Sequence, residues 1–275
     1  MEDKVRWVCP GRLSSLRDTV MQYPPCSLLG ERAVSLRQFF EEIPSTQAEA
    51  LRMARWGAPA GTYVVATRQS AGQGRAGHAW ASPFGGVYIS IIVDLPGPQP
   101  GLIPLALGER LRQHFEESYG VRSVLKWPND LLVPTERGPL QKLAGVLVDR
   151  VDDRRAVVGV GINVSVERTE FPPEIRDRVA ILRELTSYPP QVPQVESETL
   201  EVIESTLELL ESEPGRRALV AACRRSLYGR GHAARVDGQR VGVIRDLGEE
   251  GELWVEGEQG PQAVWAGDLT IEEES

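Results

Sequence analysis

The sequence predicts an α+β chain in two modules, and two observations carry that expectation. Between Phe39 and about residue 225, short apolar runs alternate with segments of helical period, the pattern of a sheet with helices packed on it. From Gly229 onward, short alternating strands are separated by Asp237-Gly238, Gly248 to Gly251, Gly257 to Gly260 and Gly267-Asp268, a spacing that suits a small all-β barrel. Before both lies different text, in which Pro10, Gly11, Pro24, Pro25 and Gly30 break every helical pattern. The expected division is an irregular extension over 1–38, a main module over 39–225 and a small module over 226–275 that leans on the first.

Each element follows from local chemistry. Phe39 to Ile43 reads as a short strand ending at Pro44. A helix then starts at Ser45 or Thr46, with Thr46 and Glu49 spaced as a capping box and Gly57 at the stop. A strand over Tyr63 to Thr67 leads into a loop holding Gly72, Gly74 and Gly77, and an apolar strand runs from Val87 to Val93. Leu102 to Tyr119 has helical period and stops at Gly120. Two strands bracket Pro128, and a hairpin joins Leu140–Val151 to Ala156–Val166. In its second strand Val158, Val160, Ile162, Val164 and Val166 share one face, leaving Gly159, Gly161, Asn163 and Ser165 on the other. Glycines within a strand weaken it, so the small-residue face marks the close approach of another group. After the prolines near 189–193 comes an acidic amphipathic helix with Leu200, Ile203, Leu207 and Leu210 on one face.

Composition bounds the function. The 275 residues are 41% hydrophobic and 25% charged, with a formal charge of −8, which speaks against disorder and against a nucleic-acid surface. Glu2, Asp3, Lys4 and Arg6 occupy the start, where a secretory signal would be apolar, and no run approaches the length of a membrane span. The expectation is a soluble, cytoplasmic protein with no membrane partner. Cys9, Cys26 and Cys223 lie far apart from one another and from His78, His114 and His232, so neither a disulfide framework nor a zinc site is expected.

Three segments could carry chemistry. The loop from Arg68 to Gly77 combines backbone N–H groups with one central cation, Arg75, which suits an anion, while a glycine-rich loop taken alone is more often a flexible surface loop. It has no Lys-Ser or Lys-Thr pair after it and leads toward Trp80 and a strand, so it is neither of the common nucleotide loops. Lys142 lies in a nearly continuous apolar strand and needs an anion, supplied by an acidic side chain or by a ligand. Lys126 poses the same question beside Pro128, while Asn129 and Asp130 also suit turn chemistry alone. Ser45 and Thr46 are first of all helix caps, and Trp80 is either a core aromatic or a stacking platform. The chain has no G-x-S-x-G elbow and no H-E-x-x-H, so neither a serine-hydrolase elbow nor a zinc hydrolase has support.

Taken together, Ser45-Thr46-Gln47, Gln69 to Gly77, Lys126-Trp-Pro-Asn-Asp130 with Lys142-Leu-Ala-Gly145, and Gly159-Val-Gly-Ile-Asn163 resemble the catalytic domain of biotin protein ligases. The resemblance is strong over Phe39 to Val166, moderate in the C-terminal module and absent before residue 39. It implies a mixed central sheet with flanking helices, like that of class II aminoacyl-tRNA synthetases and lipoate ligases, followed by an SH3-like β-barrel. It also implies a two-step reaction, in which biotin and MgATP give biotinyl-5′-AMP and the biotinyl group then passes to a lysine of biotin carboxyl carrier protein.

By position, the resemblance gives Ser45, Thr46, Gln47 and Gln69 to the ureido ring, with Gly72 admitting close backbone approach. Arg75, with the amides of Gln73 and Gly74, would clamp phosphates and carboxylate. Lys142 would bridge carboxylate and α-phosphate, which with Arg75 makes it the catalytic pair. Trp80 and Asn163 fall to the adenine side, and Lys126, Asn129 and Asp130 to phosphate, Mg2+ or framework roles. The family usually has Asn where Gln47 stands and often Arg where Gln73 stands. The expected form is a ligase without a DNA-binding domain, its metal ligands and a homodimer left open. The alternatives are a lipoate or octanoyl ligase or transferase, and a biotin-binding sensor that does not transfer.

Overall fold

The computed structural model describes residues 36–95, 101–136 and 138–272, and the extension expected over 1–38 lies almost entirely outside them. The main module is a seven-stranded sheet. Its strands are β1 (Arg37–Ile43), β2 (Tyr63–Gln69), β3 (Gly86–Asp94), β4 (Val124–Lys126), β5 (Asp130–Val133), β6 (Gln141–Arg150) and β7 (Arg155–Asn163). They lie in the order β1-β2-β3-β7-β6-β5-β4. The β1–β2 pair is parallel and the remaining pairs are antiparallel, which makes the sheet mixed as expected.

Helix α1 (Thr46–Arg55) connects β1 to β2, and α2 (Leu102–Tyr119) connects β3 to β4. Three more helices follow the sheet: α3 (Leu182–Leu185), α4 (Val192–Glu211) and α5 (Glu213–Ser226). The two faces of the sheet are used differently. Val87, Ile89, Ile91 and Val93 of β3 join Val158, Val160 and Ile162 of β7 in the main core with Ile103, Leu107 and Leu111 of α2 and Ile203 of α4. The intervening residues Ile92 and Val157 pack with Ala50 and Ala54 of α1 in a smaller cluster. Alternation along each strand thus sends alternate residues to opposite faces, and the glycines of β7 lie on the face beside α1.

One expectation needed correction, and one helix is added. The capping box at Thr46 and Glu49 does not form: Ser45 is the N-cap, its Oγ accepting from the Ala48 N–H at 3.3 Å. Thr46 is already helical and its side chain is buried against the sheet, while Glu49 pairs with Arg52. The acidic helix expected around residues 200–210 is followed by a second, α5, where Ser212 caps the new N-terminus by accepting from Gly215 N–H at 3.1 Å. Pro214 lies in the first turn of α5, where a missing N–H costs nothing, so Ser-Glu-Pro is a start signal within one apparently continuous helical run.

The C-terminal module is an antiparallel five-stranded sheet of β8 (Ala233–Val236), β9 (Gln239–Leu247), β10 (Leu253–Gly257), β11 (Gly260–Val264) and β12 (Leu269–Ile271), in the order β11-β10-β9-β8-β12. This is compatible with an SH3-like barrel. Its core is shared with the main module: Ala234, Ile244, Leu253 and Val255 cluster with Leu105, Leu125, Trp127 and Cys223. The fully buried Trp127 also donates its indole N–H to the carbonyl of Gly251 at 2.9 Å. Among the described residues, no helix is long and apolar enough to cross a membrane.

Candidate active site

Over the glycine face of β7 lies a cavity of about 450 Å³. Its floor exists because two side chains are missing. A Cβ on Gly159 would sit 2.4 Å from Oε1 of Gln47, and one on Gly161 would sit 2.6 Å from the Trp80 indole. The close approach expected of these glycines is therefore made by Gln47 and Trp80, both of which line the cavity.

One end of the cavity is neutral and polar. Gln69 accepts with Oε1 from the Thr46 backbone N–H at 2.7 Å and from the Thr46 hydroxyl at 3.0 Å, and donates from Nε2 to Ser82 at 2.7 Å. The Thr46 hydroxyl lies 2.9 Å from that of Ser90 across β3. Ser45, Thr46 and Gln47 are each 3% exposed, so this polar cluster is held rigidly at the start of α1. Gln47 uses both amide hydrogens, on Asp149 Oδ2 at 2.9 Å and on the Val157 carbonyl at 3.2 Å, but its buried Oε1 has no partner.

The other end is charged. Lys142, on β6, places Nζ 2.7 Å from Oδ1 of Asp130 on the neighbouring β5 and 4.9 Å from the centroid of the Trp80 ring. The anion that the lysine required is, in this structure, a carboxylate. Oδ1 of Asp130 is buried and receives no well-directed hydrogen bond, so the pair is a close charge contact, in which the lysine is the more exposed partner. Lys126 and Asn129 flank it, and Asn129 is fixed by donating Nδ2 to the Val146 carbonyl at 2.9 Å.

The glycine-rich loop forms the rim. It is pinched at its base by Gln69 and Ser82 and again by Gln73 and Ala79, with the Trp80 N–H donating to the Gly72 carbonyl at 2.9 Å. The expected role for the Gly74 amide needs correction, because this N–H donates to the His78 carbonyl at 2.7 Å and is not free for an anion. Arg75 remains as the cation of the rim. Burial pulls its guanidinium below the ordinary arginine range, and Asp130, Asp268 and Asp237 oppose that shift. Its Nη1 also reaches the carbonyl of Gly267 at 3.5 Å, the outer limit of a hydrogen bond.

Of the residues singled out from the sequence, Gly72 and Asn163 do not line the cavity, and the others do. Gly72 is packed beneath the loop, where a Cβ would meet the Trp80 carbonyl at 2.4 Å. Asn163 is buried and donates to the Lys142 backbone carbonyl at 3.1 Å, which steadies the strand that carries the lysine. Sequence reasoning missed Asp237, Ala266, Gly267 and Asp268, which the C-terminal module brings to the rim. The Asp237-Gly238 and Gly267-Asp268 turns were visible as turns, but nothing local says that they face Arg75.

Residues 39–167 match the model of the Biotin/lipoate A/B protein ligase family. A biotin--[acetyl-CoA-carboxylase] ligase of Mycobacterium tuberculosis is 31% identical over 237 residues, which cover 82% of this chain and 85% of that one. The bifunctional ligase/repressor BirA of Bacillus subtilis is 36% identical over 148 residues, 50% of this chain and 43% of that protein, so the chain spans less than half the length of this relative. Among solved structures, the biotin protein ligase of Aquifex aeolicus in complex with biotin and ATP superimposes with a TM-score of 0.74 at 28% identity, covering 87% of this chain and 99% of that one.

Proposed function

Because the chain belongs to the biotin protein ligases of the biotin/lipoate A/B protein ligase family, we propose that it joins biotin to a carrier protein at the expense of ATP. The observation that carries this reading is the polarity of the cavity over β7, with a neutral hydrogen-bonding cluster at Ser45, Thr46, Gln47 and Gln69 and the cations Arg75, Lys126 and Lys142 at the other end. Biotin has the matching polarity, with a ureido ring at one end and a carboxylate at the other.

In the first step a biotin carboxylate oxygen attacks the α-phosphorus of ATP, the bond to the β-phosphate bridging oxygen breaks, and pyrophosphate leaves. Negative charge concentrates between carboxylate and α-phosphate, where Lys142 would stand. A fixed ammonium there lowers the barrier because it needs no reorganisation as the charge develops. Arg75 would hold the phosphates and then the adenylate, and Trp80 offers the adenine a ring to stack on. In the second step an unprotonated carrier lysine attacks the biotinyl carbonyl, AMP leaves, and the amine gives up a proton.

Magnesium usually keeps several waters and is held by one or two carboxylates together with substrate phosphates. Asp130, a carboxylate on the cavity wall, has the donor chemistry for that and would hold the ion through the oxygen that does not face Lys142. The ion would offset phosphate charge. The carrier partner, a biotin carboxyl carrier protein, a cytoplasmic location and the division at 225/226 belong to the same proposal.

Incubation with ATP, biotin and a carrier domain should give protein-bound biotin. Pyrophosphate exchange that responds to lipoate and not to biotin would replace this reading with a lipoyl ligase, and biotin binding without transfer would replace it with a sensor.

A further inference from the structure

We infer that Asp149 is a positioning residue for specificity: it fixes the Gln47 amide so that the cavity presents a bare acceptor, and so favours a ligand with an N–H at that point. The inference rests on the biotin reading and deepens it.

Gln47 Nε2 faces two acceptors, Asp149 Oδ2 at 2.9 Å and the Val157 carbonyl at 3.2 Å. Turning the amide over would set Oε1 against both oxygens, so the oxygens dictate the orientation. Oε1 is then forced to the other side, where it is buried, has no partner and sits 2.4 Å from the place of the absent Gly159 Cβ on the cavity floor. Gln47 itself is 97% buried, at 3% exposure, so water does not readily supply the missing donor. A buried acceptor without a donor is destabilising, and that cost is removed only by a ligand that donates. A ureido ring carries two N–H groups. Lipoyl and octanoyl chains carry none and would seal the acceptor away unsatisfied. Asp149 lies seven residues from Lys142 on the same strand, so β6 orders both ends of the cavity.

The test is calorimetric titration of the full chain with biotin and with the two cyclic carbamates in which one or the other ureido N–H is replaced by oxygen. Asp149→Ala should weaken biotin about tenfold, which is about 1.4 kcal/mol. It should change the carbamate that lacks the facing N–H by less than about twofold. Asp149→Asn, which keeps an acceptor oxygen, should stay within about threefold of wild type, and in a Gln47→Leu background Asp149→Ala should add nothing. An unchanged biotin affinity in Asp149→Ala, an equal loss for biotin and both carbamates, or additive effects with Gln47→Leu would overturn the assignment. The double substitution also serves if Asp149→Ala alone fails to fold. Wild-type biotinylation with an indifferent Asp149→Ala variant sinks this inference alone, whereas wild type that binds no biotin sinks the ligase reading with it.

Discussion

Nζ of Lys142 lies 2.7 Å from Oδ1 of Asp130 and over the ring of Trp80, so one ammonium is shared between a carboxylate and an aromatic face on the open side of the sheet. The lysine is thereby held in an extended position before any ligand arrives. Lys142→Ala should cut biotin-dependent pyrophosphate exchange by at least about a hundredfold, the scale of losing one preorganised charge-stabilising group. Its circular dichroism spectrum should match wild type. Exchange at the wild-type rate would remove Lys142 from the chemistry.

Arg75 stands on the rim, away from the core clusters, and its loop is pinned by backbone hydrogen bonds that do not involve its side chain. Arg75→Gly should therefore release biotinyl-5′-AMP at least about tenfold faster in a stopped-flow or filter assay, with little change in melting temperature. An unchanged release rate counts against the clamp.

Gly161 has no room for a side chain beneath Trp80, where an added Cβ would lie 2.6 Å from the indole. Gly161→Val should push the ring off the floor, and nucleotide affinity measured by titration should fall by about tenfold or more. Affinity for biotin alone should fall less, because the neutral polar cluster proposed for the ureido ring lies at the other end of the cavity. Equal losses for both would mean that the floor collapses as a whole.

Trp127 joins the modules, packing among Leu105, Leu125 and Leu253 while its indole N–H meets the Gly251 carbonyl. Trp127→Phe leaves that carbonyl without its donor, a cost of about 1–3 kcal/mol. Thermal unfolding should shift downward by several degrees, and protease should cut sooner between the modules. Wild-type melting would show that the shared core suffices.

Glu198 on α4 collects hydrogen bonds from His114 and Tyr119 of α2 and from Gln194. Burial pushes its carboxyl up, but these donors outweigh burial and leave it below the ordinary carboxylate value of 4.5. A depressed carboxylate contributes stability above its unfolded value and loses it as the pH falls through the folded one. Unfolding midpoints measured from pH 6 down to pH 3 should therefore converge between wild type and Glu198→Gln at the acid end. A constant gap across that range would sink the coupling.

How much was legible in the sequence divides by the range of the interaction. The β7 alternation was readable because period two is local: Val158, Val160 and Ile162 went to the helical core, and Gly159 and Gly161 to the cavity floor. Lys142 was readable because an ammonium in an apolar strand requires an anion, but which anion depended on Asp130 lying on the neighbouring strand. The Thr46 cap was misread, since a threonine that starts a helix and a threonine that faces a sheet look alike in sequence. The Gly74 amide was misassigned because a glycine-rich loop can satisfy its own N–H groups. Contacts across the two modules were invisible, as between Arg75 and Gly267, 192 residues apart.

The carboxylates around Arg75 would make nucleotide capture, as proposed, an exchange of counter-ions. Asp130, Asp268 and Asp237 already act on the guanidinium, so in the proposed reaction a phosphate or adenylate would compete with their field and would not fill a bare positive hole. When the nucleotide leaves, the same carboxylates stand ready to take its place. Two of the three come from the small C-terminal module, which would make that module the reservoir of such an exchange and tie the departure of AMP to the piece of the chain that the sequence presented as an appendage.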